Sequence, residues 1–510
     1  MSMLPSRDRT PVGRSLRIPR RTIATLLVAS VLSAILGGCG GSPAGLSSGD
    51  AGMQAARVRA GSYLTAQGRQ LARGRTAGAT VYSVSASLDT ADNSITGRER
   101  VLFTNRTGDL LSQVVFRVYA NDAGTQQSHR PTVISDVTVD SNKSTATLSG
   151  SIMKVSIPSG IKSSARVTIA FGFNEPVPAA GQDGTSGLFA HEEGTYDLGN
   201  FLPTVVRYVN GAWDTRPKPE NGDLNYFDVA YYTVSFSAPS GYVVAATGVE
   251  EGGSSGEHRF AAGPVRDFEA QVSNLYRSAS RQVGDTTVTS YYYQDDSDGG
   301  ADALTYGCQA LSQFSSHFGP YPYARLSICE GPLEDYGMEY TGPVVITSSV
   351  YESTGTGSDL DISVAHEVCH QWWAIGVGSD PMGSPWMDES LTSFCEVAYS
   401  TWQYGQKAGN EALQELAETY ASLKEDDLPD APVVQPESAF TSGDQYTAVV
   451  YGKGALFFNE LWKQPGQPAF DKSLLDYYRK NVFLNASPED LLSAFRANSP
   501  DPSKVDELLQ

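Results

Sequence analysis

Hydrophobic periodicity changes once along this chain, near residue 280, and that change limits the fold more than any other feature. Before it, apolar and polar residues alternate in runs such as "TVYSVSASLDT" (80–90), "ITGRERVLFTN" (95–105) and "ARVTIAFGFNEPV" (165–177). Turn residues such as Asp92-Asn93 and Pro158-Ser159-Gly160 separate the runs. Alternation of β-branched and aromatic residues between turns predicts antiparallel sheet, here one β-rich domain over 79–280. After it, "GADALTYGCQALSQFSSHFGP" (300–320), "LDISVAHEVCHQWWAIG" (360–376) and "DESLTSFCEVAYSTWQYG" (388–405) carry helical spacing. Residues 281–510 therefore read as a second, mainly helical domain, with short strands at 324–330 and 343–347. The class is α+β and multidomain.

The N-terminus does not belong to either domain. Six arginines (Arg7, Arg9, Arg14, Arg17, Arg20, Arg21) precede the apolar stretch "TIATLLVASVLSAIL" (22–36). That stretch is short for a membrane span, which needs about 20 residues. It runs into "LGGC", which resembles a bacterial lipobox, with Cys39 as the lipidated residue. Residues 1–38 then form a lipoprotein signal peptide and 39–78 a flexible tether, small and polar at 40–52 with a short helical stretch at 54–72. Arg20-Arg21 raises twin-arginine export as an alternative, although its flanks fit poorly. The resulting expectation is an exported lipoprotein, held to a bacterial membrane through Cys39 and facing the exterior or periplasm. Outside the cytosol, Cys308, Cys329, Cys369 and Cys395 have access to disulfide formation. Sequence proximity favours Cys308–Cys329 and Cys369–Cys395, with free buried thiols left open. A net charge of −20, spread along the chain, argues against a nucleic-acid partner, which calls for a basic face. Nothing implies an obligate protein partner.

Chemistry concentrates in "HEVCHQWW" (366–373). Residues four apart share a helix face, so His366 and His370 can offer two imidazoles to one ion. Zinc accepts such nitrogen and oxygen ligands tetrahedrally. Glu367 falls beside the ion, where a general base belongs. Glu389, in "SPWMDESLTSF", follows His370 after 18 intervening residues, which two antiparallel helices and a loop accommodate. It is the candidate third ligand, leaving one position open. His129, His191, His258 and His317 have no partners at metal spacing and read as loop or solvated residues.

This constellation resembles the aminopeptidase N family of gluzincin metallopeptidases, which includes leukotriene hydrolase. Two further stretches agree. "EDYGMEYTGPVV" (334–345) resembles the family's G-x-M-E-N strand, with Gly337, Met338 and Glu339 in place and Tyr340 where asparagine is usual. The resemblance implies that this strand binds substrate and that Glu339 anchors a free α-amine. "YTAVVYGKGALFF" (446–458) resembles the segment whose tyrosine, here Tyr451, hydrogen-bonds the oxyanion; Tyr446 is a second phenol within reach. Ser390, where glycine is usual, and Asp388 are smaller departures. "FGPYPYARLSICEGP" (318–332) and "LGNFLPTVVRYVNGAWDT" (198–215) also look like bacterial members, as fold signatures.

The resemblance covers roughly 80–510 and implies a thermolysin-like catalytic domain over 281–510 with one zinc ion per chain. About 60 residues follow Tyr451, which implies a unit without the large helical C-terminal domain of many members. The expected function is a zinc aminopeptidase acting on peptides with a free N-terminus. An open-cleft zinc endopeptidase is the first alternative, and a non-catalytic surface peptide-binding lipoprotein the second.

Overall fold

Antiparallel pairing dominates the first half of the protein in the computed structural model, which describes residues 48–122, 130–181, 186–223, 226–254 and 256–508. An eight-stranded sheet runs in the order 249–254, 257–265, 230–237, 81–89, 94–104, 166–176, 133–139, 142–143. All its pairs are antiparallel except 81–89 with 230–237. Period two explains its burial: Tyr82, Val84, Ala86 and Leu88 face the core, while Ser85, Ser87 and Asp89 are exposed. Tyr82 stacks on Tyr232 across that parallel pair, with ring centroids 4.5 Å apart. Two four-stranded sheets and a two-stranded one, Tyr208–Val209 with Ala212–Trp213, complete the β region.

A five-stranded mixed sheet opens the catalytic half, in the order 276–283, 286–293, 325–331, 343–347, 337–339. The hairpin 276–293 thus belongs to this sheet, although its alternation continues that of the domain before it. The strands expected at 324–330 and 343–347 form and pair in parallel. The strand Gly337–Glu339 lies at the sheet's edge, antiparallel to 343–347. Helices α3 (Ser297–Phe318) and α4 (Asp359–Cys369) pack over this sheet, and α5 (Glu389–Tyr404) packs on both of them.

The tether expected over 39–78 is corrected from Ser48 onward. Helices α1 (Ser48–Ala60) and α2 (Ala66–Ala72) occupy this segment. Met53, Ala56, Ala60, Tyr63 and Leu64 are buried. Tyr63 stacks on Tyr323 at 4.6 Å, and Thr65 N donates to Pro322 O at 2.9 Å. A Cβ at Gly68 would lie 2.0 Å from that same Pro322 carbonyl, so this contact demands a residue without a side chain. Small residues here permit close packing and do not signal flexibility. The signal peptide, Cys39 and the first residues of the tether lie outside the described residues. All four cysteines at 308, 329, 369 and 395 are buried free thiols, so neither disulfide forms.

Candidate active site

Helix α4 is the Asp359–Cys369 element. Ser358 caps it by accepting from Asp361 N at 3.3 Å, and Leu360, Val364 and Val368 recur every fourth residue as its buried stripe. His366 stands in its last turn, and His370 follows directly with φ −56° and ψ −20°, so helical spacing persists across the boundary. Helix α5, Glu389–Tyr404, runs back alongside. Its contacts pair His370 with Asp388, His366 with Glu396 and Asp361 with Tyr399, an order that makes the two helices antiparallel.

The consequence is a tight triangle. His366 Nε2 and His370 Nε2 are 3.1 Å apart, and Glu389 Oε2 lies 3.3 and 3.5 Å from them. Three tetrahedral ligands about 2.0–2.1 Å from one zinc ion stand about 3.3 Å apart. The outward nitrogens agree with this reading. His366 Nδ1 donates to Glu396 Oε1 (2.7 Å), and His370 Nδ1 to Asp388 Oδ1 (2.9 Å) and Trp373 O (3.1 Å). Protons held outward leave both Nε2 lone pairs facing inward. Glu389 Oε2 is buried without a hydrogen-bond partner. The residues therefore fit a single zinc ion.

Glu367 lies next to the triangle, 6% exposed, with Oε2 buried and unpartnered. Burial raises its pKa to about 7 against the pull of His366 and His370. Gly337 makes room for it: a Cβ there would sit 2.4 Å from Glu367 Oε1. Glu339, 3% exposed, brings a carboxylate oxygen within 4.8 Å of Glu367 and His370. Met338 does not join them. Alternation along the strand turns it the other way, into a cluster with Leu333, Tyr340 and Val345. Its side chain packs there, and the expectation that this strand binds substrate concerns its backbone.

Tyr451 stacks near His366, with centroids 6.2 Å apart, and Tyr446 lies 6.1 Å beyond it, ring edge to ring. Tyr451 sits in a π-helical turn, Thr447–Lys453, a geometry frequent at functional sites. Ser390 explains its own departure from glycine. Its Oγ donates to Val450 O, tying the start of α5 to the turn that carries Tyr451.

One residue escaped the sequence reading. Asp223 arrives from the β region and places a carboxylate oxygen within 4.8 Å of those of Glu339 and Asp388. Burial, then repulsion from Glu339 and Glu389, pushes its pKa well above the usual carboxylate value. The loop before it is fastened to the catalytic half: Arg216 donates to both oxygens of Asp380 (3.0 and 3.1 Å), and Asn221 N donates to Glu437 Oε1 (3.0 Å). Nothing in "NGDLNY" signals this position. Asp223, Glu339, Glu367, Asp388, Glu389 and Glu396 gather six carboxyl groups around the site, an environment suited to a metal cation and an ammonium group together.

The remaining histidines have other roles. His258 pairs with Glu250 (2.9 Å), and His317 pairs with Asp471 (2.8 Å) while stacking on Trp402 at 3.7 Å. His191 lies on a strand beside Tyr196. His129 is outside the described residues. Trp372 and Trp373 pack in the core behind the site, as expected.

Comparison with known proteins agrees with this arrangement. Residues 303–510, which include Gly337, Glu339 and the segment from His366 to Tyr451, match the peptidase family M1 domain. Aminopeptidase M1-B of Oryza sativa subsp. japonica is 27% identical over 229 residues, covering 43% of this chain and 26% of that protein. Endoplasmic reticulum aminopeptidase 1 of Homo sapiens is 25% identical over 247 residues, covering 46% and 25%. The chain thus spans about a quarter of the length of these curated relatives. An M1 zinc metallopeptidase mutant from Deinococcus radiodurans, solved with a Tyr-Ser-Ala substrate, shares the fold. Its TM-score is 0.64 at 18% identity, over 84% of this chain and 93% of that one.

Proposed function

From a chain whose residues 303–510 are a peptidase family M1 domain, we propose a zinc aminopeptidase that removes N-terminal residues from peptides, exported and anchored at a bacterial membrane through Cys39. One observation carries the aminopeptidase reading: the Glu339, Asp223 and Asp388 carboxylates converge within 4.8 Å beside the ligand triangle. Carboxyl groups clustered there favour an ammonium, and a free N-terminus brings one beside the first peptide bond.

His366, His370 and Glu389 would hold the zinc ion, which would supply Lewis-acid polarisation of the scissile carbonyl and a lowered pKa for the attacking water. Glu367 takes the proton of that water and later delivers it to the leaving amine. Tyr451 donates its phenolic proton to the oxygen on which charge develops, a donor that carries no charge of its own. Asp388 and Glu396 hold the two imidazoles in the ligating tautomer. The edge strand Gly337–Glu339 offers unpaired backbone groups to an extended peptide. Glu339 and Asp223 then place the substrate's amine so that its first peptide bond meets Glu367. Among the described residues no helix is long and apolar enough to cross a membrane. The anchor therefore rests on the lipobox, and mass spectrometry of the mature N-terminal peptide tests it.

Peptide pairs that differ only in N-acetylation test the activity. The free-amine peptide is cleaved at its first bond, a chelator abolishes the reaction and zinc restores it. Equal turnover of the acetylated peptide would refute exopeptidase action and favour an open-cleft endopeptidase.

A further inference from the structure

Several exposed arginines of this acidic protein pair with carboxylates: Arg59 with Glu251, Arg98 with Asp136, Arg106 with Asp228, Arg130 with Asp92 and Arg259 with Glu257. At one place three arginines without such a pair among the described residues line the same groove. A groove of about 580 Å³ between helices α1 and α2 is lined by Arg57, Arg69 and Arg73, and no carboxylate lines it among the described residues.

Neutral groups hold two of these arginines in position. Arg57 lies 4.7 Å over the ring of Tyr231 and donates to Thr76 O. Arg69 Nη1 donates to Leu64 O at 2.6 Å. Their charges are therefore positioned but uncompensated. Arg69 and Arg73 are exposed, and Val58, 80% exposed, stands on the rim as the most exposed large apolar side chain among the described residues. Fixed cations beside an exposed aliphatic group match an anionic phospholipid surface, where phosphates meet guanidinium groups and the aliphatic chain enters the headgroup layer.

Position along the chain favours the same occupant. Only residues 40–47 separate Cys39 from the first residue of α1. Fully extended, that distance is at most about 30 Å. Helix α1 adds about 20 Å along its 13 residues, so chain length alone limits the reach from Cys39 to the groove to about 50 Å. A basic patch beside a lipid chain is the kind of second signal that makes attachment stable.

We propose that this groove is a docking face for anionic phospholipid, which lays the protein on the membrane to which Cys39 tethers it. The anchoring half of the proposed function is assumed here, while the peptidase chemistry is not.

Hydrogen–deuterium exchange of the full chain tests the face. It is run on vesicles of phosphatidylcholine alone and of phosphatidylcholine with phosphatidylglycerol. On the anionic vesicles, exchange over residues 57–77 slows about five-fold or more, the factor that one arginine contributes at such a surface. The slowing disappears in high salt and in the variant R69E/R73E. Equal exchange on both vesicles, or slowing that survives R69E/R73E, overturns the proposal. So does equal slowing by soluble polyglutamate, which would point to an acidic macromolecule instead. Flotation with phosphatidylcholine vesicles reads the anchor separately. If the chain does not float there, the anchor fails, and the face is then judged by comparing anionic vesicles with the chain in solution.

Discussion

Asp388 Oδ1 lies 2.9 Å from His370 Nδ1, one residue before the carboxylate that closes the metal triangle. One turn of chain thus supplies both a ligand and the group that orients another ligand. Replacing Asp388 with alanine removes the shorter of the two acceptors that fix the tautomer and leaves only Trp373 O. Zinc affinity should fall about ten- to hundred-fold, with a smaller loss for Asp388→Asn, which keeps an accepting oxygen. Competition against a calibrated chelator measures both.

Glu367→Gln keeps the shape of the side chain and removes its basicity. Zinc content should remain one per chain while kcat falls by about 10²–10⁴. A variant that retained the full rate would show that another group takes the proton.

Gly337 faces Glu367 so closely that a methyl group would reach 2.4 Å from Oε1. Gly337→Ala must displace either the base or the edge strand. Zinc stoichiometry and thermal stability should change little, because neither the ligands nor the core is touched. Turnover should drop, and the comparison of metal content with kcat separates this outcome from misfolding.

Asp223 gives the amine pocket a carboxylate from the other half of the protein. Asp223→Asn should lower kcat/KM for free-amine peptides about ten- to hundred-fold, the worth of one hydrogen bond to a charged group. The loss should fall mainly in KM, with zinc binding unchanged. A fall in kcat alone would assign Asp223 a different role.

Glu99 and Glu175 are fully buried in the eight-stranded sheet, and none of their four carboxylate oxygens has a hydrogen-bond partner among the described residues. Burial raises both pKa values well above 4.5, and Glu175 raises that of Glu99 further. The folded state then binds more protons than the unfolded state above pH 4.5. Stability falls as pH rises from there through the folded pKa values. The double variant E99Q/E175Q should match the parent in melting temperature near pH 4.5, exceed it at pH 8 and show a shallower slope between. Calorimetry across that range decides the matter.

Much of the site was legible in the sequence because helix geometry is local. The spacing of His366 and His370 places two imidazoles on one face wherever that helix packs, and 18 residues suffice to turn the chain and return Glu389 to their level. The change of period near residue 280 separated sheet from helix for a similar reason, since side-chain direction repeats every 2 residues in a strand and every 3.6 in a helix.

Phase and docking were settled only in the tertiary structure. Alternation made Met338 and Glu339 face opposite ways, but which of them met the cleft depended on which side of the edge strand packed against Leu333 and Val345. Sequence groups the helical stretch at 54–72 with the tether, and only contacts such as the Pro322 carbonyl pressed against Gly68 revealed that it packs on the body. Asp223 carries no local signal, because its place beside Glu339 comes from two halves of the chain docking through Arg216 and Asn221. Sequence by itself determined the relationships that backbone periodicity enforces within one element. Contacts between elements far apart in the chain depend on how whole surfaces fit together, and those were decided by the fold.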